Sequence, residues 1–367
     1  MKKYLLLFAS LFLFCSFLFN DDDVLIPVTN NDTLTMIFAG DIMGHSPQFL
    51  AAYNPMTKTY NYDVCFQNVK TYIEAADIAI VNLEVPLAGP PYSGYPNFSS
   101  PDALLDGLKN AGYDVMLTAN NHILDRGKKG MERTIRTIKK RNLLFAGSYV
   151  DKLQRDSTYP ILLEQKGIKI ALLNCTYGTN WGVTTYPNIV NYLDTIQIIK
   201  DIESAEAKRA DIIIMTVHWG IEYELESNEK QRNLARFFAR NGVDLVIGSH
   251  PHVVQNTEYL YGKDSLRVPV FYSLGNSLTN QRKPNTDGGI MVKVEIGSQS
   301  KMILRTSFLP VYVYKGILNS VNQYHLIPTT DFLTQPDKFQ IKTIDSTALI
   351  FFDMETRKRL SNIDIYK

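Results

Sequence analysis

Five of the six histidines in this 367-residue chain stand just after short apolar runs, in the company of Asp41, Glu84 and Asn121. TMIFA leads into Gly40-Asp41-Ile42-Met43-Gly44-His45, and IAIVN leads into Leu83-Glu84. VMLTA is followed by Asn120-Asn121-His122, IIIMTV by His218-Trp219-Gly220, and VDLVI by Gly248-Ser249-His250-Pro251-His252. Imidazole, carboxylate and amide oxygen without thiolate suit Mn, Fe or Zn better than a cysteine-based structural zinc. Five to seven such groups exceed one tetrahedral site, so the inventory predicts two divalent metals, roughly 3.5–4 Å apart. A pair of that kind activates a hydroxide and polarises a phosphoryl or carbonyl oxygen, while a histidine outside the metal shell could protonate the leaving group.

Taken singly, each group has an ordinary explanation. Asp41 after a glycine suits a turn or helix cap, and Glu84 before Val-Pro suits a surface loop. Asn120-Asn121 is turn-prone, and His218-Trp219 could be a packed aromatic pair. His250-x-His252 is stronger, because alternate residues of an extended segment point the same way. The coincidence of all of them at strand ends carries the argument for a metal site.

The elements that position them are read from the same runs. Residues 35–39, 78–82, 115–119, 168–174, 212–217 and 243–247 are predicted buried strands. Between them, Met131, Ile135 and Ile138 share one helical face, as do Gln231, Leu234, Phe237 and Phe238. Pro101-Asp102 opens a helix over 103–110, and Gly112 closes it. Such alternation means a layered α/β fold, in which the carboxyl ends of strands line the ligand crevice. From about residue 253 the runs VPVFYSL, GGIMVKVEI, MILRTSFLP and VYVYKG predict mostly antiparallel strands, extending the core or forming a second sheet. Residues 320–367 are weakly patterned.

Composition narrows the class. Lys and Arg number 38 against 37 Asp and Glu, a net charge of +1, so the basic surplus of a non-specific nucleic-acid binder is missing and no nucleic-acid partner is expected. Lys2 and Lys3 precede an apolar run over 4–19 that Asp21, Asp22 and Asp23 end, the pattern of an export signal or membrane anchor. No A-x-A-like cleavage site follows it, and Phe14 before Cys15 makes a poor lipidation site. A single run of this kind excludes a multi-pass membrane protein. Cys65 and Cys175 remain, and two buried free thiols are expected. The chain is thus divided into 1–23 as signal or anchor, 24–33 as linker, 34–315 as the main domain and 316–367 as a C-terminal extension.

GDIMGH, VNLEVPL, TANNHILDRGKKGMERT, VHWGIEYE, VIGSHPHVVQ and FYSLGNSL, in this order, resemble the CapA family of bacterial capsule-biosynthesis proteins. That family is named for poly-gamma-glutamate synthesis and is similar to the calcineurin-like metallophosphatases; the match spans roughly residues 34–295. The resemblance implies a four-layer α/β/β/α sandwich with the site at the sheet edges. It also implies an extracytoplasmic, often membrane-anchored protein whose partners are an anionic envelope polymer or its precursor and membrane-bound capsule machinery.

On that pattern Asp41, Asn121, His218, His250 and His252 are metal ligands, and His122 is the catalytic acid. Glu84 stands where the superfamily has a bridging aspartate, one methylene longer. His45 lies four residues after Asp41, whereas the superfamily has Asp-x-His, so it is a candidate for metal or for substrate. Asn120, Glu222 and Asn276 are candidates for substrate contact or for supporting the ligands, with Glu224 a weaker one. The loop 86–101 could cover the crevice or be an ordinary surface loop. The segment 126–141, with eight basic residues against Glu132, could attract an anionic polymer or be a solvated helix face. The expected function is a metal-dependent hydrolase or transferase acting on a phosphoester or related bond. Cleavage or transfer at a gamma-glutamyl amide on the same metals, and a non-catalytic polymer-binding or export role, are the alternatives.

Overall fold

The computed structural model describes residues 33–339 and 341–366; the apolar run 4–19 and residues 24–32 lie outside them. The predicted strands form where uninterrupted β-branched and aliphatic runs placed them. In chain order they begin with β1 (Thr33–Ile42), β2 (Ile78–Leu83), β3 (Val115–Leu117) and β4 (Leu144–Ala146). A second group follows: β5 (Ile161–Gln165), β6 (Ile168–Thr176), β7 (Ile212–His218), β8 (Leu245–Ser249), β9 (Thr257–Tyr261) and β10 (Arg267–Phe271). The chain then returns with β11 (Asn276–Leu278), β12 (Gly288–Gly297), β13 (Ile303–Leu318) and β14 (Val321–Pro328).

Two large sheets result. One runs β14-β13-β12-β1-β2-β3-β4, with β11 beside β1, and the other runs β9-β10-β8-β7-β6-β5. β1 to β4 are mutually parallel, while β12, β13 and β14 add antiparallel strands beyond β1. In the second sheet β6, β7, β8 and β10 are parallel, and β5 and β9 are antiparallel edges. The segment after residue 253 therefore serves both sheets.

Helices close the outer faces. α1 (Ser46–Ala52), α2 (Ala103–Ala111) and α3 (Gly127–Lys140) belong to the first half, and α4 (Thr195–Ala207) and α5 (Glu229–Arg240) to the second. α3 buries Met131, Ile135 and Ile138, and α5 buries Ala235, Phe238 and Ala239. Gly112, at φ +105°, ends α2 in the left-handed conformation. With helices outside and two sheets facing each other, the layering is α/β/β/α. The strands are buried on both faces, which is why they read as continuous apolar runs and not as alternating ones. Cys65 and Cys175 are buried and free.

The expected boundary between 315 and 316 falls inside β13. β14 pairs with β13 along its whole length, and residues 364–365 add a short parallel pairing at Ser307 and Phe308. α6 (Thr343–Arg359) packs over β13, with the Phe352 ring 6.1 Å from that of Tyr312. Residues after 315 complete the first sheet; they are not an appendage. Among the described residues no helix is long and apolar enough to cross a membrane.

Two glycines let the strand ends approach the segment between β10 and β11. A Cβ on Gly40 would lie 2.0 Å from the Gly275 carbonyl oxygen, and one on Gly248 2.0 Å from that of Tyr272. Gly40→Ala must therefore push β1 away from Gly275. It should cost about 3 kcal/mol of stability, read as a lower denaturant midpoint at an unchanged slope.

Candidate metal centre

β1 and β2 are parallel neighbours, so their carboxyl ends deliver Asp41 and Glu84 side by side. Both are fully buried. Asn82, the last-but-one residue of β2, donates from Nδ2 to Asp41 Oδ1 at 2.7 Å. The backbone N–H of His250 donates to Asp41 Oδ2 at 3.2 Å, tying the end of β1 to the turn after β8. Glu84 is different. Neither of its carboxylate oxygens has a hydrogen-bond partner. Burial, followed by the charge of Asp41, drives its carboxyl well above the usual range.

Three imidazoles face this bare carboxylate. His218, at the end of β7, places Nε2 2.9 Å from Asn121 Oδ1 and 3.4 Å from Glu84 Oε1, while its Nδ1 lies 3.0 Å from Ser249 Oγ. His252 has Nε2 3.8 Å from Glu84 Oε1, and its Nδ1 is 3.0 Å from Asn276 Oδ1 and 3.4 Å from Asp41 Oδ2. A proton on Nδ1 satisfies Asn276 and leaves Nε2 for the site. The His250 ring lies 4.8 Å from that of His218, and its Nδ1 is buried without a partner. Glu84, His218 and His250 form one group of converging donor atoms, and Asp41, Glu84 and His252 form another. Glu84 belongs to both.

The two closing histidines converge by a route other than the expected one. His250 and His252 have φ of +99° and +58°, so a left-handed turn around Pro251 aims the rings, not the alternation of an extended segment. Burial pushes His218 and His250 well below the ordinary imidazole range. For His252 burial acts in the same direction, but hydrogen bonding and charge from Asp41, helped by Glu222 and Asn276, outweigh it and raise the ring. An unpartnered nitrogen on His250, beside a Glu84 carboxyl without donors, is the state that a cation would satisfy. The donor set fits divalent metal.

The other candidates occupy distinct places. His122 is buried, with Nδ1 2.8 Å from Asp125 Oδ2 and its ring edge-on to Phe98 at 4.7 Å; it joins neither donor group. Asn120 donates to the Leu83 carbonyl at 2.9 Å and accepts from the His122 N–H at 3.2 Å, so it shapes the loop that carries Asn121. Asn276 sits beside Asp41 in β11 and also donates to the carbonyls of His252 and Thr286. His45 lies outside both groups. Its Nδ1 and backbone N–H meet Gln48 Oε1 at the start of α1, it packs on Phe98, and burial lowers it to about 4. Glu222 is exposed yet close enough to act on Glu84 and His252, whereas Glu224 is exposed and contributes its carbonyl to Gln255.

Several supporting residues escaped the sequence reading. Asn82 was counted as strand, although its place two residues before Glu84 puts both on one face of β2. Asp125 lies three residues after His122 and is not among the candidates the sequence offers. Tyr177, whose ring is 4.7 Å from His250, and Asn180, which donates its N–H to the Asn121 carbonyl at 2.8 Å, come from a loop that carried no motif.

Residues 35–281 match the family described as bacterial capsule synthesis protein PGA_cap, and the chain belongs to that family. It is 29% identical over 348 residues to the PGA biosynthesis protein CapA of Bacillus subtilis, covering 91% of this chain and 86% of that one. The capsule biosynthesis protein CapA of Bacillus anthracis is 26% identical over 298 residues, covering 78% of this chain and 69% of the relative. Among solved structures, the calcineurin-like phosphoesterase YfkN from Bacillus subtilis aligns with a TM-score of 0.43 at 13% identity, over 88% of this chain and 99% of that one.

If Glu84 is bare for the sake of a cation, Glu84→Gln should have opposite effects with and without metal. The metal-free variant should be more stable than the metal-free parent at neutral pH by about 1–2 kcal/mol, because the parent must hold Glu84 either protonated against the solution pH or charged without a partner. Thermal melts with added Mn(II) should stabilise the parent and leave the variant almost unmoved.

Proposed function

We propose that this chain is an extracytoplasmic metal-dependent hydrolase or transferase of capsule or poly-gamma-glutamate synthesis that acts on a phosphoester or related bond. The observation that carries the reading is Glu84, shared between two groups of converging donors with both of its oxygens unpartnered. In this reading Glu84 would take part in holding two divalent cations, drawn from Mn, Fe and Zn. Asp41 and His252 would hold one, and Asn121, His218 and His250 the other. Such a pair supplies Lewis-acid polarisation of a phosphoryl or carbonyl oxygen and a water acidified toward neutral pH.

The rest of the work falls to the chain. Asn276 and Asp41 fix the His252 ring through its Nδ1, and Ser249 fixes that of His218 through its Nδ1, so neither has to reorganise when substrate arrives. Asp125 holds His122 Nδ1, which leaves Nε2 to give a proton to the leaving group. Phe98 against His122, and Tyr177 against His250, wall the site from bulk water. The export-type run at 4–19 and the capsule names of the relatives support an envelope location, with an anionic polymer or its precursor and membrane-bound capsule machinery as partners.

The full chain loaded with Mn(II) should turn over p-nitrophenyl phosphate and lose that activity on chelation. Asp41→Ala and His250→Ala should lose bound metal. His122→Ala should keep its metal while kcat falls by about 10²–10⁴. Amine release from a gamma-glutamyl amide, with no ester turnover, would move the reaction to the amide bond. Inertness toward both, with metal fully loaded, would sink the catalytic reading in favour of polymer binding.

A further inference from the structure

A cleft of about 550 Å³ lies between the Ala88–Pro91 part of the loop 86–101 and the first turns of α3. Its size is that of a ligand site. Asp125, the partner of His122, forms part of its lining, so the cleft begins where the proposed acid sits.

Its charge is lopsided. Arg126, Lys129, Arg133 and Arg136 line it against Asp125 alone. Arg133 is engaged, since its guanidinium grips the Asp102 carboxylate at 2.7 and 3.0 Å. Arg136 leans on Glu132 at 3.7 Å. Arg126 and Lys129 have no carboxylate partner among the described residues. The Arg126 contacts are to neutral oxygens, the Pro91 carbonyl at 2.8 Å and Ser93 Oγ at 3.0 Å, and its Nε is buried with no partner at all. A half-buried guanidinium held in place by neutral acceptors keeps its full charge for an incoming anion. No aromatic ring lines the cleft, so a sugar ring or an isoprenoid finds no stacking surface there.

We propose that this cleft is an anion subsite in which Arg126 and Lys129 hold the carboxylates of a polycarboxylate chain that continues toward the candidate centre. The identity of the chain rests on the function proposed above, whereas the site itself rests on the cleft and its two unpaired cations.

The test is binding of a fluorescent gamma-linked glutamate decamer to the full chain loaded with Mn(II), followed by anisotropy at two salt concentrations. Arg126→Gln with Lys129→Gln should weaken binding about tenfold and flatten its salt dependence. Lys139→Gln with Lys140→Gln removes the same charge from the far end of α3 and should change affinity by less than about twofold. Because Arg126 also pins the loop, Lys129→Gln alone must give part of the loss, about threefold, at an unchanged melting temperature. Equal losses from the two pairs would mean diffuse attraction and overturn the subsite, as would an effect confined to Arg126→Gln or no effect at all. Ester turnover of the parent, which decides the reading of the centre, does not enter this assay, and the comparison between variants holds with or without added Mn(II).

Discussion

Burying two carboxylates side by side is the constraint around which this protein is built. Transfer of one ionised carboxyl out of water costs several kcal/mol, and a second beside it adds repulsion. Asp41 is partly compensated by Asn82 and the His250 N–H, but Glu84 is left bare. The parallel pairing of β1 with β2 forces the two together, and the second sheet answers with imidazoles from the ends of β7 and β8. Neither sheet alone makes a site. The crevice exists because the carboxyl ends of both converge on one point, where a cation would balance what the fold has concentrated.

Neutral amides hold that arrangement. Asn82 ties Asp41 to the neighbourhood of His218 and Ser249. Asn120 anchors the Asn121 loop to β2, and Asn276 anchors the His252 turn to β11. Asn174 joins the sheets directly, accepting from the Ala119 N–H at 2.9 Å and donating to Thr216 Oγ1 at 3.1 Å. An amide both donates and accepts, so it can crosslink two segments without adding charge near a site already crowded with it.

What the sequence made legible follows from this design. Strands buried on both faces are uninterrupted apolar runs, and their ends are where polarity returns, so Asp41, Glu84, Asn121 and His218 could be read directly. The convergence of His250 and His252 was also visible, although the left-handed turn that produces it was not, since φ leaves no mark on residue type when the residue is histidine. Asn82 and Asp125 were hidden because each looks like ordinary strand or turn until its partner is placed in space. The C-terminal region was obscured for another reason. α6 buries Asp353 and Thr356 and leaves Phe351 and Met354 exposed, while β14 buries Gln323 and His325, so neither shows the period of its element. Those buried polar groups are satisfied locally, Asp353 by Arg357 and Thr329, and the apolar pattern is scrambled as a result.

The first strand to be made is among the last to be completed. β1 takes one neighbour from β2, but the other, β12, begins at Gly288, and β13 and β14 must follow before that side of the sheet is covered. During synthesis the nascent chain therefore carries a half-paired central strand for most of its length. Contacts of such long sequence separation form late and slowly. The side of the first sheet beyond β1 therefore closes only when the C-terminal strands are present, and with it the placement of Asn276 against the His252 turn.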